Sequence, residues 1–205
     1  MAQRGKDSRE KILTVAEKLI LANGFSGTSL DQVIRESHIS KGGFFYHFKS
    51  KNELALALFE KYIVDDKRFF SGLFEQAENL TEDPLQQMLI FVKLLADSMA
   101  ALPDVHPGCL VASYTYESQQ FESDIKPLAQ ESLRVWQVLF ADHLQRITVQ
   151  YRPRMEVDIE ELATLLCTIL EGGIIVSRVL ADKGMLVQQI LHYRSHLRLL
   201  FDPAL

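Results

Sequence analysis

Along nearly the whole chain, apolar residues recur with the 3.6-residue period of helices, and no segment sustains strand alternation. Ile12, Ala16, Leu19 and Ile20 trace a first helix, opened by an Asp7–Glu10 capping box and ended by Gly24 as a C-cap. Leu30, Val33 and Ile34 trace a second behind a Thr28–Asp31 box, and Ser40 can cap a third, very short helix. Ser50 and Glu53 open a long helix through Leu54, Leu58 and Tyr62 towards Phe69. Asp83-Pro84, an N-cap with proline at the first helical position, starts a stripe of Leu85, Met88, Leu89, Val92, Leu95, Ala96 and Met99. Pro103 and Pro107 bound a loop, and a shorter helix covers Cys109 to Gln119. Ile125, Leu128, Trp136, Leu139, Phe140 and Ile147 form the next face. Residues 157–181 and 185–201 form the last two helices, split by Lys183-Gly184. The fold class is all-α.

The helix after residue 157 is apolar nearly all round. Leu162, Leu165, Leu166, Ile169 and Val176 lie on one side, and Ala163, Cys167, Leu170 and Ile174 on another. Such a helix is buried on both sides. A two-fold four-helix interface would do that, with Gly172-Gly173 allowing close approach, so a homodimer is expected. A membrane span wants about 20 nearly uninterrupted apolar residues. Leu162 to Ala181 is interrupted by Glu171, Gly172, Gly173 and Arg178, which favours a buried helix over a span.

Charge divides the chain. Residues 1–51 carry 9 Lys+Arg against 5 Asp+Glu, a net of +4, while residues 52–205 carry 13 against 22, a net of −9. A basic segment on an acidic body suggests a phosphate-binding head. Hydrophobic residues make up 47 % of the 205 and charged residues 24 %, a globular balance. Two cysteines, Cys109 and Cys167, are too few for a disulfide framework and fit a reducing compartment. MAQRGKDSREK lacks the apolar region of a signal peptide, so a cytoplasmic protein is expected.

The stretch TSLDQVIRESHISKGGFFYHFKSKNEL, residues 28–54, places two short helices around a tight turn, the second dense in aromatics and flanked by lysines. This is the composition of a helix pushed into DNA. Leu30 to Glu36 would lie across the backbone, and Lys41 to Tyr46 would be the recognition helix, its N-terminus favouring phosphate. Thr28, Ser29 and Ser40 can donate to phosphate oxygens, and Lys41, Lys49 and Lys51 add positive charge. Gly42 and Gly43 each cost about 1 kcal/mol in a helix, a cost that close approach of backbone to DNA would offset. Phe44 and Phe48 are placed as core pegs that hold so short a helix.

Ser40-Lys41-Gly42-Gly43-Phe44-Phe45-Tyr46-His47-Phe48-Lys49-Ser50-Lys51 closely resembles the signature of TetR-family transcriptional regulators, and Gly24-Phe25, Thr28 and Leu30 fit as well. The resemblance is specific over about residues 9–60. It implies a helix-turn-helix DNA-binding head, residues 1–52, on a larger helical ligand-binding and dimerisation body, residues 53–205. It implies phosphate contacts from Thr28, His47 and Lys51, and base-edge contacts near Lys41, Gly43 and Tyr46. Two departures stand out. Phe45 replaces a usual tyrosine and loses a hydroxyl for phosphate, which Tyr46 next door would partly replace. His38 replaces a usual turn glycine, and histidine tolerates the left-handed region better than most residues.

In the body, Pro107-Gly108-Cys109-Leu110 begins a helix, and a thiol at such a position can be reactive. It also resembles the Gly-Cys-Leu turn of a TetR subgroup, some of whose members sense electrophiles or oxidants. The other reading of Cys109 is a small packed residue. His192 and His196, four apart, lack a nearby carboxylate or thiol and do not make a metal site. Glu171 and Arg178 interrupt an apolar helix and would pair with a ligand, with each other or across a dimer. Phe91, Met99, Cys109, Tyr114, Glu117, Trp136, Phe140 and Glu171 are the candidate effector contacts, set against the alternative that the aromatics are only core. No hydrolase, metalloprotease, P-loop or dinucleotide motif occurs, and no catalytic residue or cofactor is expected. The expected protein is a ligand-responsive repressor binding a palindromic operator of double-stranded DNA as a dimer and released by a small-molecule effector. The alternative is a repressor that senses thiol chemistry at Cys109. A helical enzyme or carrier with an incidental head is the reading from another class.

Overall fold

The computed structural model describes residues 2–120 and 124–201, with the side chains of residues 2–6 and Gln120 left aside. Among the described residues there are nine α-helices: α1 (Ala2–Asn23), α2 (Leu30–Ser37), α3 (Lys41–His47), α4 (Lys51–Glu78), α5 (Pro84–Ala100), α6 (Leu110–Glu117), α7 (Ile125–Gln150), α8 (Ile159–Leu180) and α9 (Lys183–Phe201). A single 3₁₀ turn, Ser118–Gln120, follows α6.

Three expected boundaries move. Helix α1 starts at Ala2, so Asp7 lies inside it and caps nothing. The N-cap of α2 is Ser29, whose side chain accepts the Gln32 N–H at 3.1 Å; Thr28 is not the cap. Its hydroxyl donates instead to the Gly24 carbonyl at 2.8 Å. The last break falls at Ala181-Asp182. There Ala181 is left-handed at φ 51°, and the Asp182 N–H reaches back to the Ser177 carbonyl at 3.0 Å, a Schellman-type ending. The Asp182 carboxylate then accepts the Gly184 N–H at 2.8 Å and opens α9 two residues early. Other signals hold. Gly24 is left-handed at φ 75°, Asp83 accepts the Gln86 N–H at 2.8 Å, and Ser50 accepts the Glu53 N–H at 3.1 Å.

The chain packs as two compact units. The first joins residues 1–64 to residues 107–132. Its core sets Ile12, Leu13 and Ala16 of α1 against Val33, Phe44, Phe48, Leu54, Leu58 and Phe59, and continues through Leu110, Tyr114, Ile125 and Ala129. The helices expected of the DNA-binding head therefore share one core with α6 and the start of α7.

The second unit joins residues 65–106 to residues 133–205. Helix α9 packs on α5 and α8: Arg194 donates to the Leu89 carbonyl at 2.9 Å, and Tyr193 donates to the Leu162 carbonyl at 3.0 Å. By length and composition α8 is apolar enough to cross a membrane, yet Leu162, Leu166, Leu170 and Ile174 are buried within this unit. Gly173 is closed off by Leu186, whose Cδ1 lies 2.7 Å from where a Cβ would stand, while nothing approaches the same point at Gly172. Of the glycine pair, only Gly172 is open for close approach to another chain.

An aromatic stack runs through the second unit. Phe74 lies parallel to Phe91 at 3.6 Å on one side and to His143 at 3.5 Å on the other. Burial, with help from Arg146, pulls the His143 imidazole down to about 4 against the opposing pull of Glu78 and Asp142. His143 therefore stays neutral in the fold but takes up a proton in the unfolded chain below about pH 6.5. Stability is full above that pH and falls as pH drops from 6.5 towards 4, by an amount on the order of 2–3 kcal/mol. Urea unfolding at pH 7 and pH 4.5 checks this. A His143→Phe variant should lose that share of the difference; an unchanged pH response would show that His143 does not carry it.

Candidate DNA-binding surface

Helix α3 has seven residues, two of them glycines, and cannot persist alone. Two features hold it. Ser40 accepts the Gly43 N–H at 3.1 Å, and Phe44 and Phe48 are 0 % and 1 % exposed in the core of the first unit. Their rings lie 5.8 Å apart, and the Arg9 guanidinium stands 5.4 Å from the Phe48 ring. With those pegs inward, the opposite face looks out. Tyr46 is 76 % exposed and meets His47 edge-on at 5.0 Å, while Lys41, Gly42 and Lys49 are exposed. A Cβ at Gly42 would meet nothing, whereas one at Gly43 would crowd Ile39 and the capping Ser40. Gly43 thus has a reason inside the chain, and Gly42 is the one whose bare backbone faces outward. Phe45 is half-buried against the same core.

The turn between α2 and α3 follows the sequence expectation. His38 is left-handed at φ 53° and returns its N–H to the Arg35 carbonyl at 3.2 Å. Lys41 stands 4.0 Å from Asp31, with both side chains largely in solvent. An ion pair so exposed contributes little and leaves Lys41 available to an outside anion.

The predicted phosphate donors differ in setting. Ser29 and Ser40 are exposed caps, and His47 is half-buried. Thr28 is 2 % exposed, with both its N–H and its hydroxyl turned onto the Gly24–Phe25 segment. Lys51, the first residue of α4, donates through Nζ to the Phe25 carbonyl, and burial lowers its pKa despite the attraction of Glu117.

The effector candidates fall in both units. In the first, Cys109 is buried at the N-cap of α6 with Sγ 3.5 Å from the Tyr62 hydroxyl, and Tyr114 packs edge-on to Phe59 at 5.7 Å. Glu117 caps the turn after α1: its carboxylate accepts the Phe25 N–H at 3.0 Å, the Ser26 N–H at 2.6 Å and the Ser26 hydroxyl. In the second, Phe91 and Phe140 are fully buried with ring centroids 5.7 Å apart, and Trp136 donates to Asp66 at 3.1 Å. Met99 and Glu171 are half-buried on α5 and α8. Among the described residues no group of three metal-ligating side chains comes together. The Glu117 contact was beyond sequence reasoning, since its partners lie more than 90 residues away.

A capped, peg-anchored short helix with an exposed aromatic and basic face, joined by a tight turn to a second helix, defines a helix-turn-helix DNA-binding protein. Comparison with known proteins takes this further. Residues 12–58 match the family model for bacterial regulatory proteins of the tetR family. Residues 84–190, more than half the chain, match the C-terminal domain of LmrA/YxaF-like transcriptional regulators. The chain belongs to the TetR family of transcriptional regulators. It is 27 % identical to the HTH-type transcriptional regulator YxaF of Bacillus subtilis over 91 % of this chain and 93 % of that one. It is also 27 % identical to LmrA of the same organism, over 83 % and 86 %. Among solved structures, the reduced form of Escherichia coli NemR is similar with a TM-score of 0.80 at 18 % identity, covering 97 % of this chain and all of that one. A TetR-family regulator from Agrobacterium tumefaciens gives 0.79 at 19 % identity, over 94 % and 98 %.

Proposed function

We propose that this regulator is a repressor that binds a palindromic operator as a homodimer and leaves it when a small molecule occupies the body. The working division is a DNA-binding head over residues 1–52 and a ligand-binding and dimerisation body over residues 53–205, acting in the cytoplasm. The observation that carries the DNA reading is the outward face of α3, where Tyr46 is exposed while Phe44 and Phe48 are pegged inward. Tyr46 and Lys41, with the backbone at Gly43, read base edges; Ser29, Ser40, His47 and Lys51 contact phosphates, and the buried Thr28 holds the turn beside them. The effector is a small, largely apolar or aromatic molecule held in the second unit, where Phe91, Met99, Trp136, Phe140 and Glu171 are its candidate contacts; Cys109, Tyr114 and Glu117 lie in the first unit and are left to packing and to the turn after α1. The effector acts by differential affinity for two states of the dimer that space the heads differently.

Thiol sensing at Cys109 is the second reading. A relative that matches over 62 % of this chain is the repressor NemR, whose solved structure is described as its reduced form. Burial of Cys109 beside Tyr62 favours a packing role over that reading, since reactive thiols are partly exposed.

The docking is tested on duplexes selected from a random pool by the wild-type protein. Lys51→Ala should weaken binding about equally on all of them and lower the salt slope by roughly one unit. Tyr46→Ala should change the ranking of the duplexes. Wild-type affinity, slope and ranking in both variants would remove this assignment.

A further inference from the structure

The turn that ends α1 is held from outside itself. Gly24, Phe25 and Ser26 contribute little to the core apart from the Phe25 ring, yet three of their donors converge on one carboxylate, that of Glu117 at the end of α6. The fit requires Gly24. A Cβ there would stand 2.3 Å from the nearer Glu117 oxygen, so the left-handed glycine serves the contact as well as the helix ending. Burial pushes this carboxyl up, but hydrogen bonds from Ser26 and Phe25, together with Lys51, outweigh it and hold the group below its ordinary value.

The same turn anchors the groups assigned to the phosphate backbone. Phe25 is gripped on both sides, its N–H by Glu117 and its carbonyl by the Lys51 ammonium. The Thr28 N–H returns to the Phe25 carbonyl at 3.3 Å and the Thr28 hydroxyl to the Gly24 carbonyl. Ser29, the cap of α2, is the next residue. A lysine ammonium has three donors. One is used on Phe25, which fixes the direction of the others.

We propose that Glu117 is a positioning residue for DNA binding: by fixing the 24–26 turn from α6, it sets the pose in which Lys51 meets a backbone phosphate. The proposal rests on the assignment of Lys51 as a phosphate contact. It runs against simple charge arithmetic, in which removing an acid beside a DNA-binding lysine strengthens binding.

The test measures affinity and salt slope of the full-length protein on a random-sequence duplex of about three helical turns, by fluorescence anisotropy. The variants are Glu117→Ala, Glu117→Gln, Lys51→Ala and the Glu117→Ala/Lys51→Ala pair, with the thermal midpoint as a folding control. Both Glu117 variants should bind about three- to tenfold more weakly with a salt slope lower by roughly one unit. Glu117→Ala should add little once Lys51 is gone, because residues acting through one contact are non-additive. Unchanged or tighter binding in the Glu117 variants overturns the proposal alone. So does a loss that multiplies with that of Lys51→Ala. If Lys51→Ala itself changes neither affinity nor slope, the phosphate assignment and this proposal fall together. Should Glu117→Ala lower the midpoint by more than a few degrees, the isosteric Glu117→Gln decides.

Discussion

Phe44→Ala should abolish DNA binding by melting the recognition helix, with a loss of about 3–5 kcal/mol in the stability of the first unit. The side chain is fully buried and touches Phe45 edge-on at 5.4 Å as well as Phe48. Deleting it removes apolar contact and leaves a void that seven residues with two glycines cannot close. Elsewhere a helix of high intrinsic propensity survives such a loss. Here Gly42 and Gly43 withdraw about 2 kcal/mol of propensity relative to alanine, and nucleation of a short helix is already unfavourable. Far-UV circular dichroism in urea gives the stability, and anisotropy on duplex DNA gives the function. Phe44→Leu should recover most of both. If Phe44→Ala binds DNA like the wild type, the aromatic peg does not hold α3.

The head is legible in the sequence because its determinants are local. A cap, a left-handed residue and an apolar period all act within about four residues. Ser40, Asp83 and Gly24 do what their neighbours in sequence predict. Where two local signals compete, a third group close by in sequence decides. Thr28 and Ser29 both bear the hydroxyl an N-cap needs, and Thr28 is taken by Gly24, so the cap passes to Ser29. Lys183-Gly184 is where the sequence divides the last two helices, but Asp182 can cap α9, and that moves the break upstream to a left-handed alanine. The Asp7–Glu10 box has the right spacing, yet nothing in it requires the helix to start there. The link from Glu117 to the first turn has no period and no spacing rule. Only the folded core brings α6 to it.

Helix α8 carries a second apolar face that its own unit leaves uncovered. Leu165, Gly172, Val176 and Val179 follow one another at seven-, four- and three-residue steps on one side of the helix, and Val179 is 79 % exposed. Leu199 on α9 is also exposed. A second copy packed by a two-fold axis would bury this face, with the bare backbone at Gly172 allowing the helices to approach. Sedimentation velocity at micromolar concentration should therefore find a dimer. Val176→Arg should convert it to a monomer, weakening association at least about 100-fold, because two-fold symmetry places both new charges in one apolar seam. In the isolated chain the substitution sits at a partly exposed position and should change stability by no more than about 0.5 kcal/mol. Loss of assembly and loss of fold are thus separable. Operator binding should fall with the dimer, since linking two heads makes the second half-site an intramolecular event. A wild-type chain that sediments as a monomer, or a Val176→Arg variant that stays dimeric, would place the interface elsewhere or remove it.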